Sequence, residues 1–170
     1  MPLLSKTIEA PLRLLGEHKV DCVIVGGIAA LIHGSLLLTN DVDVCYARDL
    51  ENLKRLAGAL QSVHARLRNA PEGLPFILDA ETLKRGLNFT FTTDVGDIDL
   101  LGEVRGVGHY DEVLAGSITV ELFDYLFAVI DIGKLVIAKR AAGRQKDLIA
   151  LPELEAIQEA QAKQTERQES

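Results

Sequence analysis

At 170 residues and a net charge of −7, the chain is long enough for one domain with its own core. It is too acidic for a global attraction to nucleic acid or to an anionic membrane surface. Its apolar fraction of 48% is ordinary for a globular protein, and no run approaches the ~18 uninterrupted apolar residues of a membrane span.

The opening stretch carries Lys6, Glu9 and Arg13 in an amphipathic pattern, which predicts a helix over residues 3–15 with Ser5 as its cap. It lacks the compact apolar run and small-residue cleavage site of a secretory signal, so a cytoplasmic location without membrane attachment is expected. Residues 20–25 form a short β-branched run, read as the first central strand, and it ends in Gly26 and Gly27. Residues 28–33 favour a buried helix that Gly34 closes. A loop over 35–40 leads into residues 41–46, whose polar–apolar alternation predicts a strand with Asp41 and Asp43 on one face. Cys22 and Cys45 fall in these two strands without ligand spacing, so reduced core thiols are expected rather than a disulfide or a metal site.

Leucines at 50, 53, 56 and 60 predict a surface helix over 48–62, and Pro71, Gly73 and Pro75 mark a loop over 69–75. Strands over 87–93 and 98–101, joined by a turn at 94–96, and further strands over 117–122 and 126–130 predict a mixed sheet. A helix over 131–142 should end at Gly143, followed by a turn carrying Arg144, Lys146 and Asp147. A last helix is expected to run to about residue 161 with Pro152 in its first turn, leaving residues 162–170 as a frayed polar tail. The expected architecture is a single α/β (α+β) domain over 1–161, a mixed central sheet flanked by helices with a C-terminal helical segment.

Two aspartates one residue apart in a strand stand only about 7 Å apart along the backbone and can share a hard divalent cation. A strand ending in two glycines and running straight into a helix presents backbone N–H groups and a positive helix end, a site for phosphate. Gly26 and Gly27 are equally consistent with a tight turn alone. A third acidic position lies at 96–101, where Asp99 is flanked by apolar residues and Asp97 is the alternative occupant. Bringing three carboxylates together costs desolvation and repulsion, and a metal ion is the natural resolution. The adjacent glycines do not fit the dinucleotide-binding G-x-G-x-x-G pattern, and neither a G-x-S-x-G elbow nor clustered His and Cys is present.

The order of strand, Gly26-Gly27, helix, Asp41-Val42-Asp43 strand and distant apolar-Asp-apolar strand resembles the DNA polymerase beta-like nucleotidyltransferase superfamily. More narrowly, residues 26–34 with Thr39-Asn40-Asp41-Val42-Asp43 are similar to the AbiEii-like minimal nucleotidyltransferases of toxin–antitoxin and abortive-infection systems. Residues 139–147 look like the C-terminal lysine-and-Lys/Arg-Asp element of those proteins. The resemblance covers roughly residues 20–155. It implies a nucleotidyltransferase fold in which Asp41, Asp43 and Asp99 hold one or two Mg²⁺ ions, with Asp99 helping to deprotonate the attacking hydroxyl. Gly27, after Gly26, and the following helix would receive the β and γ phosphates of an NTP, and Thr39 is expected to shape the site by fixing the loop into the aspartate strand through a bond to backbone. Lys139 or Arg144 would neutralise the leaving pyrophosphate. Lys139 also lies among alanines, where a lone charge needs a partner, and Asp147 is the expected one. The acceptor would be RNA such as a tRNA end, a protein or a small molecule, and a cognate toxin or antitoxin is an implied partner.

Related sequences commonly carry an arginine two residues before the threonine, where this chain has Leu37 within the run Leu36-Leu37-Leu38. That run predicts packing against another subunit, as in a homodimer, and supports the alternative of a weakly active or inactive binding module acting through a partner protein. His33 is expected to be satisfied by backbone at its helix end. Lys134, Arg140 and Lys146 read as a solvated helix face, with Arg140 favourably placed for the helix dipole.

Overall fold

The computed structural model describes residues 6–170. Helix α1 (Lys6–Glu17) buries Ile8, Leu12 and Leu15 as the amphipathic pattern predicts, while the start expected at residues 3–5 lies outside the described residues. Strand β1 (Cys22–Val25), buried throughout, feeds α2 (Gly26–His33), which Gly34 ends in the left-handed conformation at φ 117°. Then follow β2 (Val42–Tyr46), α3 (Leu50–Ser62), β3 (Arg66–Leu67) and α4 (Ala80–Arg85). Next come β4 (Asn88–Thr93), β5 (Gly96–Leu101), the short pair β6 (Glu103–Val104) and β7 (Gly108–His109), and α5 (Tyr110–Leu114). The chain closes with β8 (Ile118–Leu122), β9 (Tyr125–Val129), α6 (Ile132–Ala142) and α7 (Gln145–Glu169).

Among the described residues, seven strands form one mixed sheet in the order β3-β4-β5-β2-β1-β9-β8. The central pairs β2–β5 and β1–β9 are parallel, whereas β1 and β2 run antiparallel. Because the middle strands are covered on both faces, their side chains are apolar almost without interruption: Val23, Ile24, Val44, Ile98, Leu100 and Val129 are fully buried. Asp43 breaks this pattern in β2. Side-chain caps set three helix starts, with Asp49, Asp79 and Asp131 each accepting a bond from the third following backbone N–H. Cys22 and Cys45 are free and buried, as expected of core thiols. Among the described residues, no helix is long and apolar enough to cross a membrane.

The C-terminal segment differs from the sequence expectation. Arg144 is not in a turn but caps α7, and its capping box with Asp147 starts the helix at Gln145. Pro152 therefore lies in the third turn, where it forgoes the bond to the Leu148 carbonyl, and the helix continues past residue 161 to Glu169, across all but the last residue of the expected tail 162–170. The Ala-, Glu- and Gln-rich sequence explains that continuation, because these residues favour helix even where nothing covers them, and Lys163 pairs with Glu159 one turn away. Lys134 also departs from a solvated face, since its ammonium group bonds the Glu112 and Ala115 carbonyls at the end of α5.

Candidate active site

Strand register aligns the carboxylates. In the parallel pair β2–β5, Asp43 stands directly beside Asp99, and in the antiparallel pair β4–β5, Asp99 stands beside Thr90. Asp99 is thus the β5 carboxylate beside Asp43, while Asp97 lies two residues earlier on the same face of β5. Asp41 sits just before β2 rather than within it, close enough to add its charge to that acting on Asp43.

The glycines of α2 make room for this row. Gly26 has φ +64°, and a Cβ there would run into the Asp43 carboxylate. At Gly27 a Cβ would lie 2.6 Å from Thr39 Oγ1. Both glycines are therefore required by close approach and not only by the turn. Helix α2 has no side-chain N-cap, and Gly26 and Gly27 at its start line the same cavity as Asp43. Gly27→Ala should push Thr39 aside and cost about 1–3 kcal/mol of stability, read as a lower urea midpoint.

The opposite wall comes from α6 and α7. Asp147, fully buried, accepts from Arg144 Nε at 2.7 Å and from Lys139 Nζ at 3.3 Å. Burial alone would raise its pKa, but the bonds from Arg144 and the charge of Lys139 outweigh it and hold the carboxyl below its usual range. Lys139, itself largely buried, acts electrostatically on Asp43, and Arg144 feels both Asp43 and Asp99. Gly26, Gly27, Thr39, Asp41, Asp43, Asp99, Lys139, Arg144 and Asp147 all line a single cavity of about 550 Å³. That volume suits a small-molecule or cofactor site. His33 lies apart, its Nε2 2.7 Å from the Ile130 carbonyl, in the structural role expected of it.

Asp43 is pushed up to about 7, first by burial, then by the charge of Asp99, by the hydrogen bond that the neutral acid makes to Asp99, and by Asp41; Lys139 opposes the shift. Between about pH 4 and 7 the metal-free folded state therefore binds a proton at Asp43 that the unfolded chain does not. Stability should fall as pH rises through that window, by up to about 1.4 kcal/mol per pH unit, and level off above it. Urea titrations in EDTA at pH 5, 6, 7 and 8 should show the slope in the native chain and lose it in Asp43→Asn.

Among the described residues, no three of His, Cys, Asp and Glu form a ready cage for a metal ion. The Asp43–Asp99 pair, with Asp41 beside it, lines the cavity and is the candidate donor set. Two hard carboxylates whose mutual repulsion a cation would relieve fit Mg²⁺, which characteristically takes one or two carboxylates and completes its shell with water and substrate phosphate.

Sequence reasoning missed Arg68. It follows the two-residue strand β3, reaches across β4, and donates to Asp99 Oδ1 and to the Phe91 carbonyl, each at 2.8 Å. Its Nε lies 3.4 Å from Asp97 Oδ2 and is buried without a hydrogen bond. Only the strand register links Arg68 to the carboxylates. The loop at 36–38 is pinned through Ser35 and the Leu36 N–H, both bonded to Glu153 of α7; Leu36 is 79% and Leu38 94% exposed, and Leu38 also lines the cavity.

No protein-family model matches the chain, and no curated protein matches it. A solved structure from Thermotoga maritima, a provisionally assigned nucleotidyltransferase, is similar with a TM-score of 0.48 and 14% identity, over 95% of this chain and 92% of that one. A likeness so distant transfers no site, and the chemistry here is read from the residues that line the cavity.

Proposed function

We propose that the cavity is the active site of a nucleotidyltransferase that moves a nucleoside monophosphate from an NTP to a hydroxyl acceptor. The observation that carries this reading is the Asp43–Asp99 pair, set by strand register between the uncapped glycine end of α2 and the cations Lys139 and Arg144. Carboxylates that call for a hard cation, beside a phosphate-binding helix end and two fixed cations, suit a metal–triphosphate.

Asp41, Asp43 and Asp99 would hold Mg²⁺, which when bound neutralises phosphate charge and favours attack at the α-phosphorus. The N-terminus of α2 receives the β and γ phosphates, an approach that only glycine at 26 and 27 leaves open. As the acceptor oxygen bonds to the α-phosphorus and the bond to pyrophosphate breaks, the hydroxyl proton passes to the Asp99 carboxylate. Lys139 and Arg144 meet the charge developing on the leaving pyrophosphate. Asp147 holds both in place beforehand, so little reorganisation is needed.

RNA such as a tRNA end, a protein or a small molecule can supply the hydroxyl, and a toxin–antitoxin setting follows from the sequence resemblance. The exposed leucines at 36 and 38 favour a second reading, in which the fold serves as a protein-binding or antitoxin module. To decide, the protein is incubated with each α-labelled NTP, Mg²⁺ and total RNA, cell lysate or protein alone. Transfer of label supports the enzyme; no transfer together with no NTP binding supports the module.

A further inference from the structure

One cation in the carboxylate row has no part in the proposed reaction. Leu67 pairs with Phe91, and the next residue, Arg68, donates its backbone N–H to the Thr90 carbonyl, which places Arg68, Thr90, Asp99 and Asp43 in one cross-strand line. The guanidinium thus meets the row from the β3 side, bonded to Asp99 and paired with Asp97, and it also feels Asp41. Lys139 and Arg144 are already committed to Asp147, and among the described residues Arg68 is the cation bonded directly to the acidic row.

We propose that Arg68 is a built-in counter-ion of the carboxylate row, one that a divalent cation must compete with, so that the metal binds weakly until nucleotide phosphates bring further ligands. This rests on the reading that Asp43 and Asp99 hold a divalent cation. Two effects of Arg68 oppose one another. Its bond orients Asp99, and the loss of such a supporting contact typically weakens metal binding by roughly 10–100-fold. Its charge, however, repels a divalent ion across a single shared carboxylate in a partly buried site, and at an effective dielectric of about 20 that repulsion amounts to several orders of magnitude in affinity. Repulsion wins. The buried Nε without a hydrogen bond agrees with a side chain held there by charge rather than by complete bonding.

The test is Mn²⁺ binding without nucleotide, followed by the electron paramagnetic resonance signal of the free ion, in the native chain and in Arg68→Gln, Arg68→Lys and Asp97→Asn. Arg68→Gln should bind Mn²⁺ at least about tenfold more tightly. Arg68→Lys keeps the charge and should stay near the native value, whereas Asp97→Asn removes a nearby negative charge and leaves the guanidinium to Asp99, so it should bind severalfold more weakly. Equal or weaker binding by Arg68→Gln, or no binding by either protein, overturns the proposal. If Arg68→Gln does not fold in EDTA, Arg68→Met takes its place, and binding there equal to or weaker than the native value overturns the proposal. Label transfer is assayed separately, so its absence alongside the expected Mn²⁺ pattern removes the reaction and leaves the counter-ion.

Discussion

Asp43→Asn should lower nucleotidyl transfer by about a thousandfold while making the metal-free protein more stable above pH 7. The amide keeps the size and much of the hydrogen bonding of the acid but cannot supply the negative charge that holds a cation. Losing about 4 kcal/mol of transition-state stabilisation corresponds to about three orders of magnitude in rate. Stability moves the other way because in native protein above pH 7 Asp43 is ionised against Asp99 and Asp41 in a largely buried position. A residue whose role was only structural would lose both together. Opposite signs in the transfer assay and in urea denaturation with EDTA identify the pair as a site kept at the expense of stability. A substitution that lowers both equally would count against that assignment.

Asp147→Asn should be the most damaging single change outside the carboxylate row, costing about 3–5 kcal/mol, because it leaves the largely buried Lys139 without its counter-charge. The acid's folded pKa lies below its unfolded value. Its stabilisation is therefore complete above the ordinary carboxylate pKa of about 3.9 and disappears as pH falls through the lowered folded value. The deficit of Asp147→Asn relative to the native chain should be constant above about pH 5 and shrink in more acidic solution. Lys139→Met should cost a comparable amount, and the double substitution less than the sum, since the two remove one shared interaction. Chemical denaturation of the four proteins at pH 7 and at pH 3.5 measures all of this.

Much of the site could be read in the sequence because its parts are local. Gly26-Gly27 between an apolar strand and an apolar helix, the period-two run around Asp43, and a helix bounded by Asp131 and Gly143 each carry their own backbone chemistry, and each folds within one or two residues of the expected bounds. The partnership of Lys139 with Asp147 could be guessed because a charge among alanines needs a counter-charge. What escaped notice depends on neighbours distant in sequence. Which of Asp97 and Asp99 stands beside Asp43 is set by the register of β5 against β2, which no local pattern encodes. Arg68 belongs to the site only because β3 adds to β4 and β4 to β5, and a strand of two residues has no periodicity to detect. The short α4, α5, β6 and β7 fall below the length at which helix and strand periods can be told apart. In α7, Pro152 suggested a helix start, but the Arg144–Asp147 capping box eight residues earlier fixed it.

Binding of a non-hydrolysable NTP measured calorimetrically, with Mg²⁺ and then with EDTA, tests the central claim most directly. The account predicts one nucleotide bound per chain in Mg²⁺, with binding largely lost in EDTA and in Asp43→Asn. Absence of binding in Mg²⁺, or binding that is indifferent to both the metal and Asp43, would contradict it.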